Sequence, residues 1–170
     1  MHETFNGTLM TSYYFSIIGT RDNPIYEFEF SSFKGSASSN QVPGCSQFSA
    51  GVKEILPFIA NSSLDLVEDA QFTTLKFSLG KIDSFYGLDV SAFVTQGNIK
   101  FILCYERSVG DTQGSSNPLS KYDENSIRQF FMEANELYVK CLLNPFYSVN
   151  DAITSPDFDL KLKTVARKYL

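Results

Sequence analysis

Histidine is almost missing from this sequence. The one copy, His2, precedes the first predicted strand, so the folded body has no imidazole to activate a serine or cysteine nucleophile. Positive charge is also short: 14 Lys and Arg against 19 Asp and Glu leave a net charge of -5 and a pI near 4.8. Without excess cations to displace counterions from phosphates, nonspecific nucleic-acid binding is excluded, and a broad footprint on an anionic membrane is disfavoured. Cysteine is limited to Cys45, Cys104 and Cys141, an odd number at wide spacing that fits neither a disulfide framework nor a zinc site. Cys104 and Cys141 fall within periodic apolar segments and read as buried thiols of a reducing compartment. No apolar run approaches the roughly 20 residues of a membrane-spanning helix, and the first residues, with Glu3 and no early Lys, lack the basic start of a secretory signal. There is no glycine-rich phosphate loop and no dinucleotide fingerprint. A soluble, cytosolic protein without catalytic activity or cofactor is expected.

Apolar residues, in contrast, are plentiful: 43% of 170 residues, with 15% aromatic, is enough for one compact core. Residues 13–18 read as a buried strand, and in 25–30 the aromatics Tyr26, Phe28 and Phe30 alternate with Ile25, Glu27 and Glu29. Asp22-Asn23-Pro24 between them predicts an antiparallel hairpin. A helix is expected over 57–70, where Ile59, Leu66, Val67 and Ala70 share a face and Pro57 suits the first turn. Three β-rich runs follow, at 81–86, 88–95 and 99–105. A long amphipathic helix, capped by Asp123, carries Ile127, Phe130, Phe131, Ala134, Leu137, Tyr138, Cys141 and Leu142 at three- and four-residue steps and stops at Asn144-Pro145. A last helix opens with Ser155-Pro156, and its Lys161, Lys163, Arg167 and Lys168 complement the helix dipole. The order β-β-α-β-β-β-α-α predicts an α+β domain over 13–170: a five-stranded antiparallel sheet with one helix on one face and two C-terminal helices on the other. Residues 1–12 read as a flexible N-terminal extension. The Ser/Gly/Asn-rich stretches 33–49 and 107–121 read as flexible insertions.

Two features could carry interactions. Asp65, Glu68 and Asp69 fall together on one helical face, either a solvated acidic surface or a docking patch, with too few converging ligands for a metal. Asn144-Pro145-Phe146-Tyr147 contains both an Asn-Pro-x-Tyr and an Asn-Pro-Phe recognition peptide, yet it abuts a strong helix. Helix termination, with Phe146 and Tyr147 packed on the sheet, is the expected role.

Several blocks in order carry a resemblance: Tyr14-Phe15-Ser16-Ile17-Ile18-Gly19, Asp22-Asn23-Pro24-Ile25-Tyr26-Glu27-Phe28-Glu29-Phe30, Ser63-Leu64-Asp65-Leu66-Val67-Glu68-Asp69, Ser91-Ala92-Phe93-Val94-Thr95, Asn144-Pro145-Phe146-Tyr147 and Ser155-Pro156-Asp157-Phe158-Asp159. Together they resemble the sedlin family, small subunits of the TRAPP vesicle-tethering complexes. The resemblance implies a longin-like fold and a noncatalytic adaptor that joins the shared TRAPP core to larger complex-specific subunits in endoplasmic reticulum-to-Golgi transport. It implies contact with a Rab-type GTPase only through the complex, and peripheral association with endoplasmic reticulum and cis-Golgi membranes by the same route. The family's helix aspartate falls on Asp65, implied as a partner contact, with Glu68 and Asp69 beside it. Met10-Thr11-Ser12-Tyr13 looks like a family N-terminus, so residues 1–9 read as an addition to it. A longin-like module that binds a small molecule or lipid between sheet and helices is the alternative.

Overall fold

The computed structural model describes residues 11–32, 45–46, 48–85, 87–106 and 118–170, with side chains in the last segment from residue 124 onward. Five strands, β1 (Ser12–Ile18), β2 (Pro24–Ser31), β3 (Ser78–Phe85), β4 (Leu88–Val94) and β5 (Lys100–Glu106), form one antiparallel sheet in the order β2-β1-β5-β4-β3. The three central strands are buried along most of their length because both faces are covered, and they are mainly apolar, with Ser16, Asp89 and Ser91 the buried polar exceptions in their interiors. In β1, Phe15 and Ile17 face one core while Tyr14 and Ile18 face the other; in β5, Phe101 and Leu103 oppose Ile102 and Cys104 in the same way. The expected α+β longin-like class, with its five-stranded antiparallel sheet and chain order of strands and helix groups, is the one found.

One face carries α3 (Pro118–Leu142) and α4 (Pro156–Tyr169). Phe130 of α3 stands edge-on to Phe15 at 5.1 Å, and Phe131 stacks on Phe93 at 5.9 Å, so an aromatic layer joins the long helix to the sheet. The helix begins at Pro118, which places Asp123 inside it rather than at the cap. Proline suits a first turn, where its missing amide costs nothing, and this signal outranks the aspartate. Residues 118–121, read as the end of a flexible loop, are therefore helical, while 107–117 lie outside the described residues. The α4 cap is as expected: Ser155 Oγ accepts from the Phe158 amide and proline follows.

The other face carries α1 (Ala50–Ser62) and α2 (Leu64–Thr73) where a single helix over 57–70 was expected. Ser49 is the cap, its hydroxyl accepting from the Val52 amide, and Pro57 sits mid-helix. Pro57 lies on the exposed side, where water can take the Lys53 carbonyl that it leaves without an amide donor. At Ser63 the backbone flattens to ψ -12° and the hydroxyl bonds back to the Ile59 carbonyl at 2.9 Å, dividing the two segments. Phe48 is buried in this second core, so the segment read as a flexible insertion ends before it; residues 33–44 lie outside those described. Likewise Ser12, read as part of an extension, is buried and pairs with Ser31 in β1–β2.

A distant loop locks the first hairpin. Thr20 donates its amide to Asn150 Oδ1 at 2.8 Å, Asn23 Nδ2 donates to the Asn150 carbonyl, and the Ile153 amide reaches the Ile25 carbonyl at 2.9 Å. Gly19 makes this closure possible, because a Cβ there would lie 2.3 Å from Asn150 Oδ1 and 2.7 Å from Asn23 Oδ1. Gly19→Ala must displace both amides, and a loss of about 1–3 kcal/mol is expected in chemical denaturation. An unchanged midpoint would show that the loop yields freely.

Two carboxylates fasten α4. The Lys163 ammonium and the Tyr26 hydroxyl hold Asp159 below the usual carboxylate range, and Tyr169 and Lys168 do the same for Glu133 of α3. A depressed folded-state pKa adds stability that is complete above the unfolded values of about 3.9 and 4.3, and is lost as pH falls through the folded values. Asp159→Asn is therefore expected to melt below the wild type at pH 7 and to converge with it in acid. Parallel melting curves across that range would remove Asp159 from the account.

Candidate partner-binding surface

Asp65, Glu68 and Asp69 are brought together on the exposed side of α2, as their spacing predicts. The helix is anchored by Val67, fully buried in the second core, and by Leu64, partly buried against it. With 3.6 residues per turn, fixing Val67 inward turns positions 65, 68, 69 and 72 outward along one stripe. Asp65 stands in the first turn, where the helix dipole favours a carboxylate. Glu68 and Asp69 lie three and four residues beyond it, a spacing at which like charges repel by a few tenths of a kcal/mol per pair. None of the three forms an ion pair with another described residue. Among the described residues, no group of three or more His, Cys, Asp and Glu side chains converges as a metal site would.

The stripe continues into apolar surface that the sequence reading did not single out. Phe72 is 84% exposed and Leu75, just past the helix, is fully exposed; Phe58 of α1 faces solvent, and so does Leu66 of α2, 40% exposed, although its spacing placed it on the core face with Val67 and Ala70. The wheel could have shown it: Phe72 is three residues from Asp69 and off the Val67–Ala70 side. Beyond Leu75, a groove of about 1080 Å³ runs between the 74–81 segment and α3, floored by Phe93, Ile127 and Phe131. The result is a carboxylate cluster bordered by large exposed apolar side chains, which can receive a surface that offers cations beside apolar groups.

The basic residues of α4 form no comparable patch. Lys161 pairs with Asp157 and Lys163 with Asp159, each at 2.8 Å, and Lys168 pairs with Glu133 at 2.9 Å. Of the two cysteines expected to be buried, Cys104 is, with its thiol pushed up to about 12 by burial and by Asp83, and Cys141 is only partly so; Cys45 is exposed. Among the described residues, no helix is long and apolar enough to cross a membrane.

The Asn144–Tyr147 turn divides the expectation made for it. Tyr147 packs partly on the core and its hydroxyl donates to the Asp151 carbonyl at 2.8 Å. Phe146, expected to pack on the sheet, points into solvent at 94% exposure. A turn of this size can direct one of two successive side chains inward, and Tyr147, which can satisfy its hydroxyl there, takes that place.

The Sedlin family profile matches residues 17–168. Trafficking protein particle complex subunit 20 of Saccharomyces cerevisiae is 36% identical over 186 residues, covering 92% of this chain and 97% of that protein. The transport protein particle 20 kDa subunit of Schizosaccharomyces pombe is 36% identical over 157 residues, covering 92% and 98%. With the five-stranded sheet, the helices on both faces and a match across nearly the whole chain, this protein belongs to the sedlin family.

Proposed function

We propose that this chain is a noncatalytic adaptor subunit of TRAPP-type vesicle-tethering and Rab-exchange complexes, joining the shared core to larger complex-specific subunits in endoplasmic reticulum-to-Golgi transport. The observation that carries the reading is the α2 stripe. Three exposed carboxylates that form no ion pair with another described residue, bordered by a solvent-facing Phe72, offer a cationic, apolar counterpart both charge and apolar contact. The relatives' names, both describing subunits of a particle, support the same assignment. Asp65 is the central contact, with Glu68 and Asp69 at its side. The chain is placed in the cytoplasm, reaching endoplasmic reticulum and cis-Golgi membranes, and any Rab-type GTPase, only through the assembly.

Affinity purification of the tagged protein from its own cytosol at moderate salt tests the proposal. Mass spectrometry is expected to identify the other TRAPP core subunits together with at least one larger subunit. Recovery of the chain alone, as a monomer, would sink it. A cavity of about 410 Å³ between the sheet and α3, lined by Phe77, Phe93, Ile99, Tyr138, Val139 and Leu142, favours the small-molecule or lipid-binding alternative, since its size suits such ligands. Ligand copurifying with the monomer, and raising its melting temperature when added back, would favour that alternative.

A further inference from the structure

The turn after α3 holds a phenylalanine where folding has no use for it. Asn144 Oδ1 accepts from the Phe146 amide at 3.0 Å and the Asn144 carbonyl accepts from the Tyr147 amide at 3.1 Å, closing two nested rings around Pro145. Each flank is fastened. The Asn144 amide returns to the Cys141 carbonyl at the helix end, while Asp151 accepts from the Ser148 amide and its own carbonyl takes the Tyr147 hydroxyl. On this rigid frame Phe146 is 94% exposed and Leu143 beside it is 76% exposed. Asn144 Nδ2 donates to no described residue, which leaves a donor next to the ring.

We infer that Asn144-Pro145-Phe146 is a ligand for a protein domain that reads this tripeptide: a domain with an apolar pocket one phenyl ring deep and a hydrogen-bond acceptor at its rim for the Asn144 amide. Three points on the molecule select that occupant. The frame is ordered before binding, so presenting the ring costs little conformational entropy, whereas a flexible peptide must be ordered first. The tyrosine of the overlapping Asn-Pro-x-Tyr sequence is held inward by its own hydrogen bond and core contacts, so a reader of that tyrosine finds nothing to grip. Phe146 projects furthest of the apolar residues at this end of α3, 94% exposed against 76% for Leu143, 44% for Val139 and 39% for Leu142, so a pocket one ring deep engages it without the roughly 800 Å² per partner that pairing with a second copy of the chain would need. The site lies on the α3–α4 face of the sheet, opposite α2, and does not depend on the adaptor reading.

The test uses a purified Asn-Pro-Phe-binding domain of the kind carried by endocytic adaptors, titrated calorimetrically into the full chain. Saturable binding is expected, displaced by a linear peptide spanning Leu143–Tyr147. Phe146→Ala is expected to weaken it at least tenfold with an unchanged melting temperature, since the ring packs on nothing. Tyr147→Phe keeps the inward ring's core contacts and leaves Phe146 exposed, so it is expected to bind as the wild type does. Absent binding, or binding that Phe146→Ala leaves intact, overturns the inference. So does sedimentation showing Phe146-dependent self-association, which would give the ring to a second copy.

Discussion

Phe130→Ala is expected to lower the melting temperature by roughly 6–20 °C, from a loss of about 3–5 kcal/mol at 2–4 °C per kcal/mol for a domain of this size. Its ring is fully buried and stands 5.1 Å from Phe15, 6.3 Å from Phe30 and 6.0 Å from Phe131, so one truncation removes contacts between α3 and two strands at once. Phe15 and Phe30 are themselves rings on paired strands, whose backbones cannot close inward to fill the space. Phe72→Ala is the matched control: the same truncation on an exposed site, expected to stay within about 0.5 kcal/mol. Differential scanning calorimetry on both decides the matter. Equal melting of the two variants would mean that the aromatic layer does not hold the long helix to the sheet.

Asp65→Tyr is expected to reduce retention of partner subunits at least tenfold while the domain melts within a few degrees of wild type. The substitution removes a carboxylate and adds bulk at an exposed position in the first turn of α2. Its cost to folding is the lost dipole interaction, about 0.3–1 kcal/mol. Its cost to docking is larger, because a cation brought to that place loses its partner and meets a ring instead. Asp65→Asn keeps the shape, so its binding is expected to fall between the two and to show a weaker dependence on salt. Quantitative pull-down alongside thermal melting separates the outcomes. An unfolded Asp65→Tyr chain would make the residue structural, and full binding by a folded one would move the interface off α2.

Much of the architecture could be read from side-chain order because burial imposes it. The mainly apolar, two-sided burial of β1, β4 and β5 exists because helices cover both faces of the sheet, and the Ser155-Pro156 signal sits at the true start of α4. Errors arose where two local signals competed. Pro57 was read as a start, though one exposed carbonyl is a small penalty against a helix already capped at Ser49. Ser78-Leu79-Gly80 opens β3 with weak strand formers at a sheet edge, where Gly80 takes φ +69° and the pairing register shifts twice. The acidic cluster was legible as spacing alone. Its apolar border follows from the same wheel, since setting Val67 and Ala70 inward turns Phe72 out, but Leu66 had been assigned to the core side and Phe72 to neither. The outward turn of Phe146 could not be foreseen either, because the core contacts and the Asp151 carbonyl that hold Tyr147 inward come together only in the folded turn.

The hydrogen bonds that join residues 20–25 to residues 150–153 also set a timetable for biosynthesis. β1 emerges first, yet its inner partner β5 lies some 85–90 residues later in the chain, and the loop that locks its hairpin comes later still. A nascent chain released in stages must therefore carry one of its most apolar strands with an unpaired edge through most of translation. Final closure awaits residues 150–153. Cells starved of chaperone capacity should accumulate this protein as ribosome-proximal aggregates of β1-bearing fragments before any shortage of the finished domain is felt.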